Sequence, residues 1–277
     1  MFERILIAVD EPAHAEALVC ATMAVAHPRH GSVTVVTVRQ CPDGLPAGRS
    51  RSKIKPSPAE ACELAATKLR QAGYRASAEV RLTASGGVAD EVIRAIDELS
   101  PDLVVMGSRG LSDLRALVIG SVSHRVLAHA DCPVLIVRGD PQLDAPKRLL
   151  LAFDDSRHSR RAARVAADLA KATGAEIEVV SISRPFISEA AVPVNDVVAA
   201  QRVKELVAAL CSEVVASGSV KVTASGKAAA ISQAAEQSDA DMIVMGTRGL
   251  SRIAGAVIGS VSHEVIHISH RQVLLVP

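Results

Sequence analysis

Short apolar runs of strand length punctuate the chain at residues 4–9, 33–38, 75–81, 102–106 and 133–138. They return at 148–153, 176–181, 219–223, 241–245 and 272–276. Between them lie Ala-rich stretches whose apolar positions recur at helical spacing. Strand and helix in strict alternation require crossover connections, and these give a parallel sheet covered on both faces. The pattern predicts an α/β protein of two tandem doubly wound domains.

The two halves are one unit written twice. Residues 102–126, DLVVMGSRGLSDLRALVIGSVSHRV, recur without a gap as residues 241–265, DMIVMGTRGLSRIAGAVIGSVSHEV, at an offset of 139. Near the start of each half, Arg4-Ile5-Leu6-Ile7-Ala8-Val9-Asp10 matches Arg148-Leu149-Leu150-Leu151-Ala152-Phe153-Asp154 at an offset of 144. The change of offset is expected after the second strand, where the first copy carries the Pro/Gly/basic run CPDGLPAGRSRSKIKPSP, read as a loop. A polar, proline-containing segment from Gly139 to Lys147 suits a boundary, so the expected domains are 1–140 and 146–277.

Composition narrows the function classes. A length of 277 residues allows each half its own core, and one Tyr, three Phe and no Trp mean that the core is aliphatic. A formal charge of +1 provides no field for nucleic acid or an anionic membrane, and the scarcity of aromatics removes stacking platforms. The five cysteines form no CxxC pair and do not read as a disulfide framework, which fits a reducing cytoplasm. No run approaches the ~18 apolar residues of a membrane span, so a cytoplasmic protein without a membrane partner is expected.

The chemistry lies in the repeated segment. Met106-Gly107-Ser108-Arg109-Gly110 is followed after nine residues by Gly120-Ser121-Val122-Ser123, and Met245-Gly246-Thr247-Arg248-Gly249 is followed after nine by Gly259-Ser260-Val261-Ser262. Glycine at a strand's carboxyl end permits close backbone approach, and a Gly-Ser that opens a helix presents free N–H groups to an anion. Two such elements can curl around one polyphosphate.

This G-x-x-G-x9-G-S pattern, present twice, resembles the ATP-binding subclass of the universal stress protein family, and the resemblance covers nearly the whole chain. It implies a Rossmann-like fold of the adenine nucleotide α-hydrolase type with strand order 3-2-1-4-5. It also implies a pocket beyond the carboxyl ends of the strands. There Ala8, Asp10, Val38 and Met106 in the first copy, and Ala152, Asp154, Ile182 and Met245 in the second, face adenosine while the glycine loops hold phosphate. The resemblance further implies ATP with Mg²⁺ as ligand and pairing of the two halves into an internal pseudo-dimer. Two chains are expected to associate as a homodimer.

After the aspartate, family members carry a Gly-Ser or similar small pair, whereas the first copy reads Asp10-Glu11-Pro12 and the second Asp154-Asp155-Ser156. The added negative charge is expected to weaken phosphate binding unless Mg²⁺ or Arg109 and Arg248 offset it.

Three other motifs carry less. His263-Glu264-Val265-Ile266-His267 matches the zinc-protease pattern, but the aligned first copy reads His124-Arg125-Val126-Leu127-Ala128, so the position belongs to the repeat's last helix. Ser225-Gly226-Lys227 is similar to the end of a phosphate-binding P-loop, yet position 221 is Lys and position 228 is Ala, so it is not one. Serines beside His124 and His263 lack a placed acid to orient the histidine, and they read as phosphate-contacting hydroxyls rather than nucleophiles. His14, His129 and His158 have no partner spacing and read as surface.

No catalytic base is visible. The expected function is a nucleotide-dependent stress-response or regulatory protein, with a slow Mg-dependent ATPase or a nucleotide-free interaction module as alternatives.

Overall fold

The computed structural model describes residues 1–27, 30–40, 57–83, 87–107, 120–138, 144–183, 194–223, 226–249 and 258–277. The chain divides into two compact units, residues 2–144 and 145–277.

The first unit contains β1 (Arg4–Ala8), α1 (Pro12–Val25), β2 (Ser32–Gln40), α2 (Pro58–Gln71), β3 (Arg75–Thr83), α3 (Val88–Leu99), β4 (Leu103–Gly107), α4 (Ser121–His129) and β5 (Val134–Val137). Its strands lie in the order β3-β2-β1-β4-β5, and every pairing is parallel. The second unit contains β6 (Arg148–Ala152), α5 (Arg157–Thr173), β7 (Glu176–Ser183), α6 (Val194–Leu210), β8 (Ala216–Val222), α7 (Lys227–Gln237), β9 (Met242–Gly246), α8 (Ser260–Ile268) and β10 (Gln272–Val276). Its order is β8-β7-β6-β9-β10, again all parallel. Both units therefore have the doubly wound 3-2-1-4-5 topology.

The central strands are apolar because both of their faces are covered. Ile5, Leu6 and Ile7 of β1 and Leu149, Leu150 and Leu151 of β6 are all buried, as are Leu103–Met106 and Met242–Met245. Each such aliphatic side chain contributes about 1.5–3 kcal/mol on burial. The helices contribute small side chains in return. Ala162, Ala163, Ala166, Ala167 and Ala170 of α5 are buried at spacings of three and four, so one alanine face lies against the sheet. Helix α5 ends in Gly174 at φ 76°, the left-handed conformation that suits glycine at a C-terminus.

The repeat extends to single hydrogen bonds. Asp102, just before β4, accepts from the backbone N–H groups of Glu3 (3.0 Å) and Arg4 (2.9 Å), and Asp241 before β9 accepts from those of Lys147 (2.7 Å) and Arg148 (2.9 Å). The change of offset is distributed between two places. Val33 and Ile177 hold equivalent register positions 144 apart, Ala76 and Ala216 are 140 apart, and Leu103 and Met242 are 139 apart. Most of the insertion therefore falls between the second and third strands of the first unit, and one residue falls later. The proline-rich run itself lies outside the described residues.

Candidate functional site

In the second unit the parallel register brings β6 between β7 and β9, so the carboxyl ends of these three strands open on one place. Phe153 extends the pairing by one residue, its N–H donating to the Val180 carbonyl at 2.9 Å. The chain then turns through Asp154 and Asp155 into α5. Asp155 has φ 63°, a left-handed position that Asp tolerates better than most side chains. This is the place where the family pattern expects a small residue. Ser156 caps the helix by accepting from the Ser159 N–H at 3.2 Å, and Asp154 Oδ1 accepts from the Ser156 N–H at 3.1 Å.

The extra acid does not stand against the site unopposed. Asp155 pairs with Arg160 at 2.7 Å and with Arg202 at 3.2 Å. The charge that Asp155 adds beside the site is offset by two arginines that the sequence did not single out, one from α5 and one from α6.

The glycine loop is built from backbone contacts. The Thr247 N–H donates to the Val276 carbonyl (2.9 Å) and the Gly259 N–H donates to the Thr247 carbonyl (2.7 Å), which holds residues 247–249 against the start of α8. A Cβ on Gly259 would stand 3.2 Å from the Thr247 carbonyl oxygen. One on Gly249 would stand 2.6 Å from Asp154 Oδ2, so this glycine makes room for the aspartate. Gly246 also has a packing role. A Cβ there would meet His158 Cβ at 2.7 Å and the Ser159 nitrogen at 2.9 Å, so the missing side chain lets α5 approach β9.

The four serines separate into two kinds. Ser262 is buried and its hydroxyl donates to the Gly246 carbonyl at 2.9 Å, and Ser123 donates to the Gly107 carbonyl at 3.1 Å. These two tie helix to strand. Ser260 and Ser121, the first residues of α8 and α4, are exposed.

Between these elements lies a cavity of about 170 Å³. Of the second-copy residues nominated from sequence, Ala152, Asp154, Ile182, Met245, Gly246, Arg248, Gly249, Gly259, Ser260, Val261 and Ser262 line it, and Thr247 does not. Thr247 is buried beside it. Sequence reasoning missed Phe153, Ser159, Val180, Ile231 and Lys227. The lysine had a visible signal in Ser225-Gly226-Lys227, dismissed because the motif was incomplete as a P-loop; in the structure Lys227 opens α7 and reaches the same cavity.

The lining has two chemistries. Ala152, Phe153, Val180, Ile182, Ile231 and Met245 give an apolar wall, while Lys227, Arg248 and the start of α8 give a cationic, N–H-donating one. Such a site suits a ligand with a flat apolar part and an anionic tail. Within the described residues no group of three His, Cys, Asp or Glu side chains could hold a metal ion; the carboxylate beside the glycine loop is that of Asp154.

The first unit repeats the frame. Ala8 lies beside Met106 in register, the Val9 N–H donates to the Val36 carbonyl (2.9 Å), and Val38, at the end of β2, sits opposite Arg81. Asp10 Oδ1 accepts from the Glu11 N–H at 2.8 Å and lies 3.4 Å from His14 Nδ1. Gly120, Ser121, Val122 and Ser123 open α4 as their counterparts open α8. Ser108, Arg109 and Gly110 lie outside the described residues.

All three histidines read as surface have neighbours, and His129 Nδ1 lies 2.8 Å from the Arg125 carbonyl oxygen. His14 contacts Asp10. His158 packs under Gly246, and burial together with Arg248, Arg161 and Arg157 lowers its pKa from the ordinary value, against a smaller opposing effect of Asp154. His263 and His267 contact one another, their Nε2 atoms 3.2 Å apart on α8. The α8 pair thus lacks the third ligand that a zinc site requires among the described residues.

A doubly wound parallel sheet with a cleft beyond its carboxyl strand ends is the layout of a ligand-binding α/β domain. The sequence profile of the Universal stress protein family matches residues 1–138 and again 146–277. The chain belongs to the universal stress protein family and carries two copies of its domain. A universal stress protein of Thermus aquaticus is 36% identical over 139 residues, which is 50% of this chain and all of that protein. Universal stress protein YxiE of Bacillus subtilis is 38% identical over 88 residues, covering 32% of this chain and 57% of the relative. A universal stress protein from Mycolicibacterium smegmatis is 30% identical over 186 residues, 64% of this chain and 62% of the relative. Among solved structures, a universal stress protein from Archaeoglobus fulgidus superposes over 99% of this chain and 96% of its own with a TM-score of 0.69 at 22% identity, a likeness of fold.

Proposed function

We propose that this universal stress protein binds an adenine nucleotide, ATP in preference, and acts as a nucleotide-dependent regulatory protein without chemistry of its own. The observation that carries the reading is the convergence of eleven sequence-nominated residues of the second copy on one cavity. The apolar wall takes the base and sugar, with Ile182 and Val180 at the end of β7 beside adenine. The glycine loop, the exposed Ser260 hydroxyl, Arg248 and Lys227 take the phosphates, with Mg²⁺ bound through them. Ser262 acts indirectly, by fixing α8 to β9.

The absence of catalysis rests on the lining. Among the described residues Asp154 is its sole carboxylate, engaged with the Ser156 N–H, and no base there stands beside a candidate nucleophile. The repeated frame of the first unit supports a second site, at Asp10, Gly107 and Gly120–Ser123. No helix of the described residues is long and apolar enough to cross a membrane. A cytoplasmic setting is proposed from the cysteines, which form no CxxC pair, and the near-neutral charge weighs against nucleic acid. Homodimerisation is carried over from the family resemblance and is read by light scattering.

Calorimetric titration of the nucleotide-stripped chain with Mg-ATP tests the proposal. Saturable binding at one or two sites per chain, with no phosphate released over hours, is the expected result. Absence of binding leaves a nucleotide-free interaction module, and sustained turnover lost in Asp154→Ala makes the protein an ATPase.

A further inference from the structure

Lys227 is the first residue of α7, directly after the N-cap Gly226, and it lines the cavity with Ile231 one turn further on the same helical face. Among the described residues no carboxylate lies within ion-pair distance of it. Arg248, from the glycine loop, stands on the same cavity. The corresponding helix of the first unit, α3, starts after Gly87 with Val88. The apolar half of the face is kept there, with Val92 for Ile231, and the charged half is not.

The neighbouring charges differ too. In the first unit Asp90 accepts from the Gly87 N–H at 3.0 Å and is paired with Arg125 of α4, so the carboxylate at the front of α3 is offset and, among the described residues, no free cation is added there. The second unit has Ala229 and Glu264 at these places. Glu264 comes to 3.7 Å from where a Gly226 Cβ would stand, and it does not line the cavity.

We propose that Lys227 makes the second unit's site selective for highly charged nucleotides, triphosphate over monophosphate, whereas the first unit's site lacks this selectivity. The inference rests on the nucleotide reading above. An ammonium at the mouth of an apolar cleft adds affinity in proportion to the charge that reaches it. AMP carries one phosphate and ATP three, so ATP brings more negative charge into the cavity that Lys227 lines and gains more from it. The first unit keeps the same base-binding frame without the added cation, so one chain carries two sites that respond differently to the balance of ATP and AMP.

Photolabelling of the full chain with 8-azido-ATP tests this, because peptide mapping assigns label separately to residues 1–140 and 146–277. ATP and AMP compete against the label. In the wild type, ATP is expected to displace label from the second unit at least about tenfold more effectively than AMP does. Lys227→Val, which installs the first unit's residue, weakens ATP competition about tenfold more than it weakens AMP competition. Lys227→Arg keeps the advantage, and Val88→Lys raises it at the first unit. An unchanged ATP-to-AMP ratio in Lys227→Val, or an equal loss for both nucleotides, overturns the assignment while label in the second unit leaves the nucleotide reading standing. No label in either unit, with no heat of ATP binding, overturns both.

Discussion

Replacing Ser260 with aspartate separates fold from ligand in a single substitution. Ser260 is exposed, is the first residue of α8 and lines the cavity. A carboxylate at this point faces the positive end of the helix dipole, which stabilises the free protein by ~0.3–1 kcal/mol. For a unit of this size that is a rise in Tm of ~1–4 °C. The same carboxylate opposes a phosphate. At ~5 Å and an effective dielectric constant of ~40, repulsion is ~1.7 kcal/mol per phosphate charge, a loss of roughly 15-fold in affinity. Opposite signs of effect are thus expected from one side chain, with a higher melting temperature without ligand and weaker binding of Mg-ATP. Thermal denaturation monitored by circular dichroism reads the first, and isothermal titration calorimetry reads the second. A variant that binds Mg-ATP as the wild type does would refute the placement of phosphate at the start of α8. One that loses stability and affinity together would show that Ser260 supports the fold, and the electrostatic argument would fail.

Other consequences follow from the packing. Gly246→Ala should destabilise the second unit by ~1–3 kcal/mol even without ligand, because the atoms that its Cβ meets belong largely to the α5 backbone and cannot move aside cheaply; chemical denaturation measures this. His158, whose pKa is lowered in the fold, binds protons more readily when unfolded, so its contribution to stability is present above a pH of ~6.5 and is lost as pH falls through the folded value. His158→Gln should flatten that part of the Tm-against-pH curve, and an unchanged slope would count against the assignment. Cys132, pushed up to about 11 chiefly by burial, and the buried Cys20 and Cys62 should resist iodoacetamide at pH 8 while the exposed Cys211 is alkylated, as peptide mass mapping would read.

The strands were legible because each central one is buried on both faces, which leaves an unbroken apolar run such as Leu149-Leu150-Leu151 with no other explanation. The repeat then multiplied every inference by two, and the five-strand order came from the family resemblance rather than from any property of the runs. Backbone conformation was harder to see. Nothing in Asp154-Asp155-Ser156 announces that Asp155 is left-handed or that Arg202, 47 residues away in sequence, neutralises it. Gly246 was legible as a loop glycine, and it lines the cavity, but sequence cannot show which backbone passes behind it; the answer, His158 and Ser159, comes from the approach of α5 to β9. Lys227 was overlooked for a related reason. Ser225-Gly226-Lys227 is incomplete as a P-loop, and the lysine's place depends instead on α7 starting at the rim of a cleft made by other strands. The same contact between helix and strand explains why Ser262, chosen as a phosphate ligand, spends its proton on Gly246.

The central claim, that adenine nucleotide occupies the cleft at the ends of β6, β7 and β9, is tested most directly by methyl NMR of the full chain during addition of Mg-ATP. Ile182 and Ile231 line the cleft, as does Met245, whereas Ile177, near the start of β7, is buried away from it. Saturable shifts at Ile182, Ile231 and Met245, with Ile177 unmoved, are the predicted result. Shifts centred elsewhere, or none at millimolar nucleotide, would contradict it.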